Sequence, residues 1–341
     1  MQRREFVAGL AAFGVSSVLS SRRLSAQAPA EGRRIIDVHQ HFVSPGFFAA
    51  IGGGGGGPYR DYTPDKNIAD MDKAGVTTAI VSAQATTGWF NDPAQANRLA
   101  RDMNEFAATK IVGGASYKGR FGMFATLPMP DVDGTLKEIA YAFDMLKVDG
   151  VAMLTSYGTK WLGDASFAPV FDELNRRRAI VYIHPIQPTC CQPMMMGVQP
   201  QVLEYIADTT RTIMSLIVSN TAMRCPDIKF IFSHAGGALT SIAGRWLGDA
   251  MNGENLSKPP EPNSRLAQLR RFYYDSAQST SPIILQSLKM LVPPSQFVFG
   301  SDWPFASPVA QATALQSSGL SADELRGLYR GNAATLLPRY T

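Results

Sequence analysis

The chain predicts an α/β fold, a (β/α)8 TIM barrel, on three observations. From residue 34 onward, eight short β-branched and aromatic runs alternate with eight longer amphipathic stretches. Those units fill roughly 300 residues, the span of one large barrel with loops. The third observation concerns placement: the chain has four histidines, and all four fall at the C-terminal ends of predicted strands.

In order, the expected strands are 34–39, 77–82, 121–127, 150–154, 179–184, 229–234, 272–275 and 296–301. The helical stretches are 64–74, 93–110, 132–146, 167–177, 200–219, 238–251, 281–291 and 321–337. Helix starts have local support. Thr63-Pro64 and Asp92-Pro93 each put a capping side chain before a first-turn proline, and Ser321 precedes Glu324 as in a capping box. The barrel domain is expected to run from residue 31 to 341. The glycine run Gly52–Gly57 reads either as a surface loop or as a hinged cover over the rim.

Residues 1–30 read as a separate unit. Arg3-Arg4-Glu5-Phe6, a modest apolar run to Leu19 and an Ala-x-Ala end make an export signal of the twin-arginine type. The mature protein is then expected outside the cytoplasm, in the periplasm, after passing the twin-arginine machinery. The apolar run is too short and too weakly apolar for a stable membrane anchor. These residues carry Arg3, Arg4, Arg22 and Arg23 against Glu5 alone, which accounts for +3 of the net +4. The body is therefore almost neutral, and a nucleic-acid partner is not expected. Cys190, Cys191 and Cys225 form no metal or disulfide framework and are expected as free thiols.

In a barrel the functional rim is the C-terminal end of the strands. There stand His39-Gln40-His41 on strand one, His184-Pro185 on strand five, Ser233-His234-Ala235-Gly236-Gly237 on strand six, and Gly300-Ser301-Asp302-Trp303-Pro304 on strand eight. Side chains two apart on a strand share a face, so His39 and His41 can lean onto one ion. Three imidazoles and a carboxylate suit one divalent transition ion, zinc first, with manganese or iron as alternatives. The expected ligands are His39, His41, His184 and Asp302, which leaves His234 free to act. By the same alternation Asp37 lies on the face of His39, where it either orients a histidine or is itself neutralised by a neighbour. Glu105, Asp72 and Asp172 sit in helical stretches and are expected in solvent. Trp303 and Phe305 flank Asp302 and are expected to wall a substrate site. Phe42, Phe47, Trp89 and Trp161 are weaker wall candidates, and the loop Pro193–Gly197 reads as an adaptable apolar cover.

The motifs D-x-H-x-H, H-P, S-H-A-G-G and G-S-D-W-P, taken together, resemble the amidohydrolase superfamily, and more narrowly the branch typified by aminocarboxymuconate semialdehyde decarboxylase. The resemblance covers about residues 34 to 338. Within that branch Arg120–Asp133, Asp149–Gly163, Ala179–Cys191 and Tyr274–Ala277 resemble the 6-methylsalicylate decarboxylases. The resemblance implies a metal-dependent carbon–carbon lyase with no organic cofactor, acting on a small aromatic ortho-hydroxy carboxylate. It implies His39, His41, His184 and Asp302 as ligands, His234 as acid/base, and a proton-handling role for Asp302 as well. Arg245 matches an arginine that binds the substrate carboxylate across a dimer interface, so a homodimer is expected. The first loop departs from the family, with the glycine run and Arg60 where another substrate-binding arginine often stands. Two other readings use the same residues: a metal-dependent hydrolase of a lactone or amide, and a non-catalytic exported binding protein.

Overall fold

The computed structural model describes residues 34–50, 57–83, 92–191, 197–248 and 258–341. Eight strands follow one another around a barrel: β1 Ile35–Phe42, β2 Val76–Ala83, β3 Phe121–Thr126, β4 Gly150–Leu154, β5 Ile180–His184, β6 Lys229–Phe232, β7 Tyr273–Asp275 and β8 Phe297–Val298. Each pairs in parallel with the next. The ring closes between its first and last strands, where Val38 N donates to Phe299 O, His41 N to Trp303 O and Asp302 N to His39 O, at 2.8–2.9 Å. Parallel strands covered by helices are buried on both faces, and β1 has no exposed residue in eight.

All eight strands contribute to one interior cluster. Ile36, Val38, Ile80, Phe124, Ile180, Tyr182, Ile231 and Val298 form it, with Ala152 and Tyr273 at its margin. Ala333 and Leu337, from the end of the chain, join the same cluster and cover the floor of the barrel. A larger apolar layer between sheet and helices includes Ile35, Phe42, Val81, Val151, Phe171 and Leu216. The anticipated caps are present: Thr63 accepts from Lys66 N, Asp92 from Ala94 N and Gln95 N, and Ser321 with Glu324 makes the reciprocal box.

Three local details differ from the sequence expectation. A short hairpin, Ser156–Tyr157 against Lys160–Trp161, follows β4. The sixth strand stops at Phe232 and the eighth at Val298, short of the left-handed residues that follow each: His234, Ala235 and Asp302 have φ of 54°, 56° and 65°. The sixth helical stretch forms a helix over Leu239–Leu247, shorter than expected. The export signal of residues 1–30, Gly52–Gly56, Trp89, the 193–196 stretch, the 249–251 end of that sixth stretch and the Cys191 side chain lie outside the described residues. Neither Cys190 nor Cys225 is in a disulfide, and the first is exposed and the second buried. Asp72, Asp172 and Glu105 are exposed; the first two are ion-paired with Arg120 and Arg224, and Glu105 accepts from the Tyr141 hydroxyl. No described helix is long and apolar enough to cross a membrane.

Candidate metal centre and active site

The first strand does not alternate evenly. Ile36 and Val38 face the barrel interior, and strict alternation would send the odd-numbered histidines outward. A register shift intervenes: Asp37 pairs with Ala79 but Gln40 with Val81, so β1 spends one residue more than β2 over this step. One inserted residue reverses the face of everything after it, and His39 and His41 turn inward. Asp37 is the residue that fixes this bulge. Its carboxylate accepts from His39 N at 3.0 Å, Gln40 Nε2 at 2.7 Å and Ser301 N at 3.1 Å on the last strand segment. It therefore orients His39 through the backbone rather than through the ring. Burial pushes its carboxyl up to about 6, against those hydrogen bonds.

Four donor groups converge here from three strand ends. One ligand atom from each of His39, His41, His184 and Asp302 lies within 4.8 Å of the others, and all four residues are buried. His39 Nε2 is 3.1 Å from His41 Nε2, and Asp302 Oδ1 is 3.2 and 3.1 Å from those two nitrogens. The far side of each ring is anchored. His39 Nδ1 donates to Asp275 Oδ2 at 2.8 Å, His184 Nδ1 donates to Pro185 O at 2.8 Å, and Ser82 Oγ lies 3.4 Å from His41 Nδ1. The two acceptor-only anchors, Asp275 and Pro185 O, fix the tautomers that leave the His39 and His184 Nε2 lone pairs pointing at the centre.

Two of the converging atoms, His184 Nε2 and Asp302 Oδ1, are buried with no hydrogen-bond partner. Buried polar atoms are nearly always satisfied, so this pair marks where a cation would be held. Burial lowers the His41 imidazole, and burial reinforced by the His41 and His39 rings holds His184 well below its ordinary value. Burial alone would raise Asp302, but the His39 and His41 rings hold its carboxyl well below the usual range. Burial likewise opposes charge on His39, yet Asp275 and Asp302 overcome it and lift the imidazole to about 10. The carboxylates thus favour one positive charge at this point, and neutral imidazoles surround it. The set fits a divalent metal ion.

Asp275 is the functional residue that sequence reasoning missed. Its four contacts are all donors: His39 Nδ1, the Tyr182 hydroxyl at 3.3 Å, His234 N at 2.9 Å and Ala277 N at 3.0 Å. His39, His234 and Asp275 also cluster, but a carboxylate this committed is a support and not a second ion site. A signal existed, since Asp275 ends a predicted strand and so stands on the rim. Gly300 shows how tight the support is. A Cβ there would sit 2.9 Å from both Asp275 Cγ and His39 Cβ. Gly300→Ala should therefore lower metal occupancy and activity together, and full metal content by elemental analysis would show that the pair tolerates the displacement.

His234 stands apart from the four donors. Its Nδ1 donates to Ala277 O at 2.9 Å, which leaves Nε2 as the exchangeable nitrogen. It sits in a left-handed turn running through Ala235, Gly236 and Gly237, with φ between 54° and 76°. Gly237 is required there, since a Cβ would come within 2.1 Å of Ile206 O. Left-handed backbone at His234, Gln278 and Asp302 concentrates strain around one site, as functional centres often do.

A cavity of about 540 Å³ opens beside the donors, lined by His184, His234, Asp302, Phe305, Gln278, Ser279 and a helix face of Gln201, Val202, Tyr205 and Ile206. Phe305 is on its wall and meets His41 edge-on at 5.8 Å, with Tyr59 packed behind it. Trp303 is not on that wall. It is buried, and its indole turns outward to donate to Asp70 Oδ2 at 3.1 Å and pack on Tyr62. Phe42 and Phe47 are core, and Trp161 donates to the buried Asp208. Arg245 is exposed on the helix Leu239–Leu247, and Arg60 is exposed on the turn Gly57–Asp61; neither lines the cavity. Tyr205, Gln201 and Gln278 carry no periodic or motif signal in the sequence.

The family model for amidohydrolases matches residues 36–339. The chain is 35% identical over 318 residues to a 6-methylsalicylic acid decarboxylase of Penicillium expansum, covering 89% of this chain and 96% of the relative. It is 34% identical over 330 residues to the decarboxylase macB of Penicillium terrestre, covering 89% and 95%. Its fold matches a dihydroxybenzoic acid decarboxylase from Polaromonas sp. JS666, solved with bound manganese and the inhibitor 2-nitroresorcinol, at a TM-score of 0.76, 19% identity and coverage of 91% and 98%. With a closed parallel barrel, a three-histidine and one-aspartate donor set at its rim, and this match along nearly the whole barrel, the chain belongs to the amidohydrolase family, among its carboxy-lyases.

Proposed function

We propose that the protein is a metal-dependent, non-oxidative decarboxylase of a small aromatic acid with an ortho hydroxyl, such as 6-methylsalicylate, releasing CO2. The observation that carries the reading is a histidine outside the ligand set, His234, on the wall of a cavity that abuts the donors. About 540 Å³ lies within the range of small-molecule sites, and Phe305, Val202 and Ile206 offer apolar surface to a ring. The substrate class follows the named activities of the relatives.

His39, His41, His184 and Asp302 would hold the ion, for which we propose zinc, with manganese or iron as alternatives. Bound there, a divalent cation supplies Lewis acidity and a fixed positive charge for an anionic substrate. The remaining chemistry concerns one proton. The ring carbon bearing the carboxylate gains a proton, the bond to the carboxylate carbon breaks, its electron pair restores the aromatic ring, and CO2 leaves. Asp302 has one oxygen at the donor centre and the other bonded to Gln278, whereas His234 keeps Nε2 free with Nδ1 anchored. His234 is therefore the proton carrier, and Asp302 acts first as ligand.

Among the described residues no lysine or arginine lines the cavity. We propose that Arg245 meets the substrate carboxylate from a second copy of the chain, in a homodimer. We further propose export by the twin-arginine route to the periplasm, with residues 1–30 removed.

The direct test is metal-loaded protein with 6-methylsalicylate, expected to yield m-cresol and CO2. Lactone or amide hydrolysis without that turnover would reverse the assignment in favour of a hydrolase. Elemental analysis identifies the ion.

A further inference from the structure

Asp302 presents only one of its two oxygens to the metal centre. Its Oδ1 faces the His39 and His41 nitrogens with no hydrogen-bond partner, while Oδ2 accepts from Gln278 Nε2 at 2.5 Å. Among the described residues this amide makes the hydrogen bond recorded to that oxygen. The contact spans two strand ends, since Gln278 follows β7 and Asp302 follows β8.

The backbone around Gln278 is arranged to deliver that amide. Gln278 has φ 50°, in the left-handed region that glycine or asparagine enters most cheaply. A longer side chain held there against backbone strain implies that the side chain is needed. Its backbone N–H donates to Gln311 Oε1 at 2.9 Å, on the helix Pro308–Ala314. Just before that helix the chain turns back on Asp302, whose carbonyl accepts from Phe305 N and Ala306 N at 2.8 and 3.1 Å. Gln278 also lines the cavity beside Ser279 and His234.

We propose that Gln278 is a positioning residue: held left-handed by Gln311, its amide pins Asp302 Oδ2 so that Oδ1 alone is presented to the metal. The rotation of a carboxylate about its own bond is easy, and an unpinned Asp302 would offer either oxygen or both. Supports of this kind around a metal ligand typically change metal affinity by about 10–100-fold. This inference rests on the metal centre and not on the reaction assigned to it.

The test is Mn2+ binding to the metal-stripped full chain, followed by electron paramagnetic resonance. Gln278→Met keeps length and volume but removes the donor. It should weaken Mn2+ binding by about 10–100-fold, leave the melting temperature near that of the parent, and lower kcat more than it raises KM. Parental Mn2+ affinity with only a raised KM would overturn the proposal and leave Gln278 as a cavity wall. Gln311→Leu touches neither Asp302 nor the cavity, and it should weaken Mn2+ binding in the same direction by a smaller factor. If Gln278→Met does not fold, Gln311→Leu decides alone, and parental affinity there would overturn the proposal. Because affinity is read without substrate, a chain that turns over no aromatic acid still gives the answer.

Discussion

His184→Ala should yield a folded protein without stoichiometric metal, whereas His234→Ala should keep its metal and lose turnover by about 10²–10⁴-fold. The two rings are neighbours, with centroids 5.7 Å apart, and the surroundings of each Nε2 separate their roles. His184 Nδ1 is spent on Pro185 O and its Nε2 is a buried orphan among the other donors. His234 has the same arrangement on Ala277 O, but its Nε2 belongs to the cavity and not to the four-atom set. Elemental analysis of both variants and turnover of the second check the division. Metal-free His234→Ala would mean that this ring is a ligand, and the proton would then need another carrier.

Asp275→Asn should weaken metal binding by about 10–100-fold and disable His234 as well. The carboxylate accepts from four groups, and two of them, His39 Nδ1 and His234 N, set the two histidines proposed for metal binding and proton transfer. Asparagine keeps one acceptor oxygen and turns an NH2 toward donors. If the amine faces His39, the imidazole must shed its Nδ1 proton or lose the contact, and the Nε2 lone pair is no longer fixed at the centre. Each buried donor left without an acceptor costs about 1–3 kcal/mol, so a lower melting temperature should accompany the loss of affinity. A metal titration and a thermal melt check both; parental metal affinity in the folded variant would remove Asp275 from the support of the site.

These two variants fall on different sides of what could be read beforehand. His184 was legible because a histidine before a proline at a strand end is a local pattern, and the strand itself is a local run of Ile180–Ile183. Asp275 also ended a recognised strand, but nothing within reach of it in sequence showed that its partner is His39, 236 residues away. Trp303 illustrates the converse. Proximity to Asp302 in sequence suggested a wall, yet the peptide turns at Asp302 with φ 65° and sends the indole out to Asp70 and Tyr62, while Phe305 two residues later comes back over His41.

The sequence by itself determined the barrel, its eight strands, and the chemical types at the rim, because strand and helix periodicity are properties of a few consecutive residues. It also placed His39, His41, His184, His234 and Asp302 at strand ends. Only the tertiary structure decided which way the first pair faces. Simple alternation would have carried the interior face from Ile36 and Val38 onward to Gln40; an inserted residue between Asp37 and Gln40 reverses it, and the reversal is held by Asp37 accepting from Ser301 N on the far side of the chain. The anchoring of His39 by Asp275 and of Asp302 by Gln278 was decided in the same way. Hydrogen bonds between residues tens to hundreds of positions apart exist only once the barrel has closed, so no local pattern announces them.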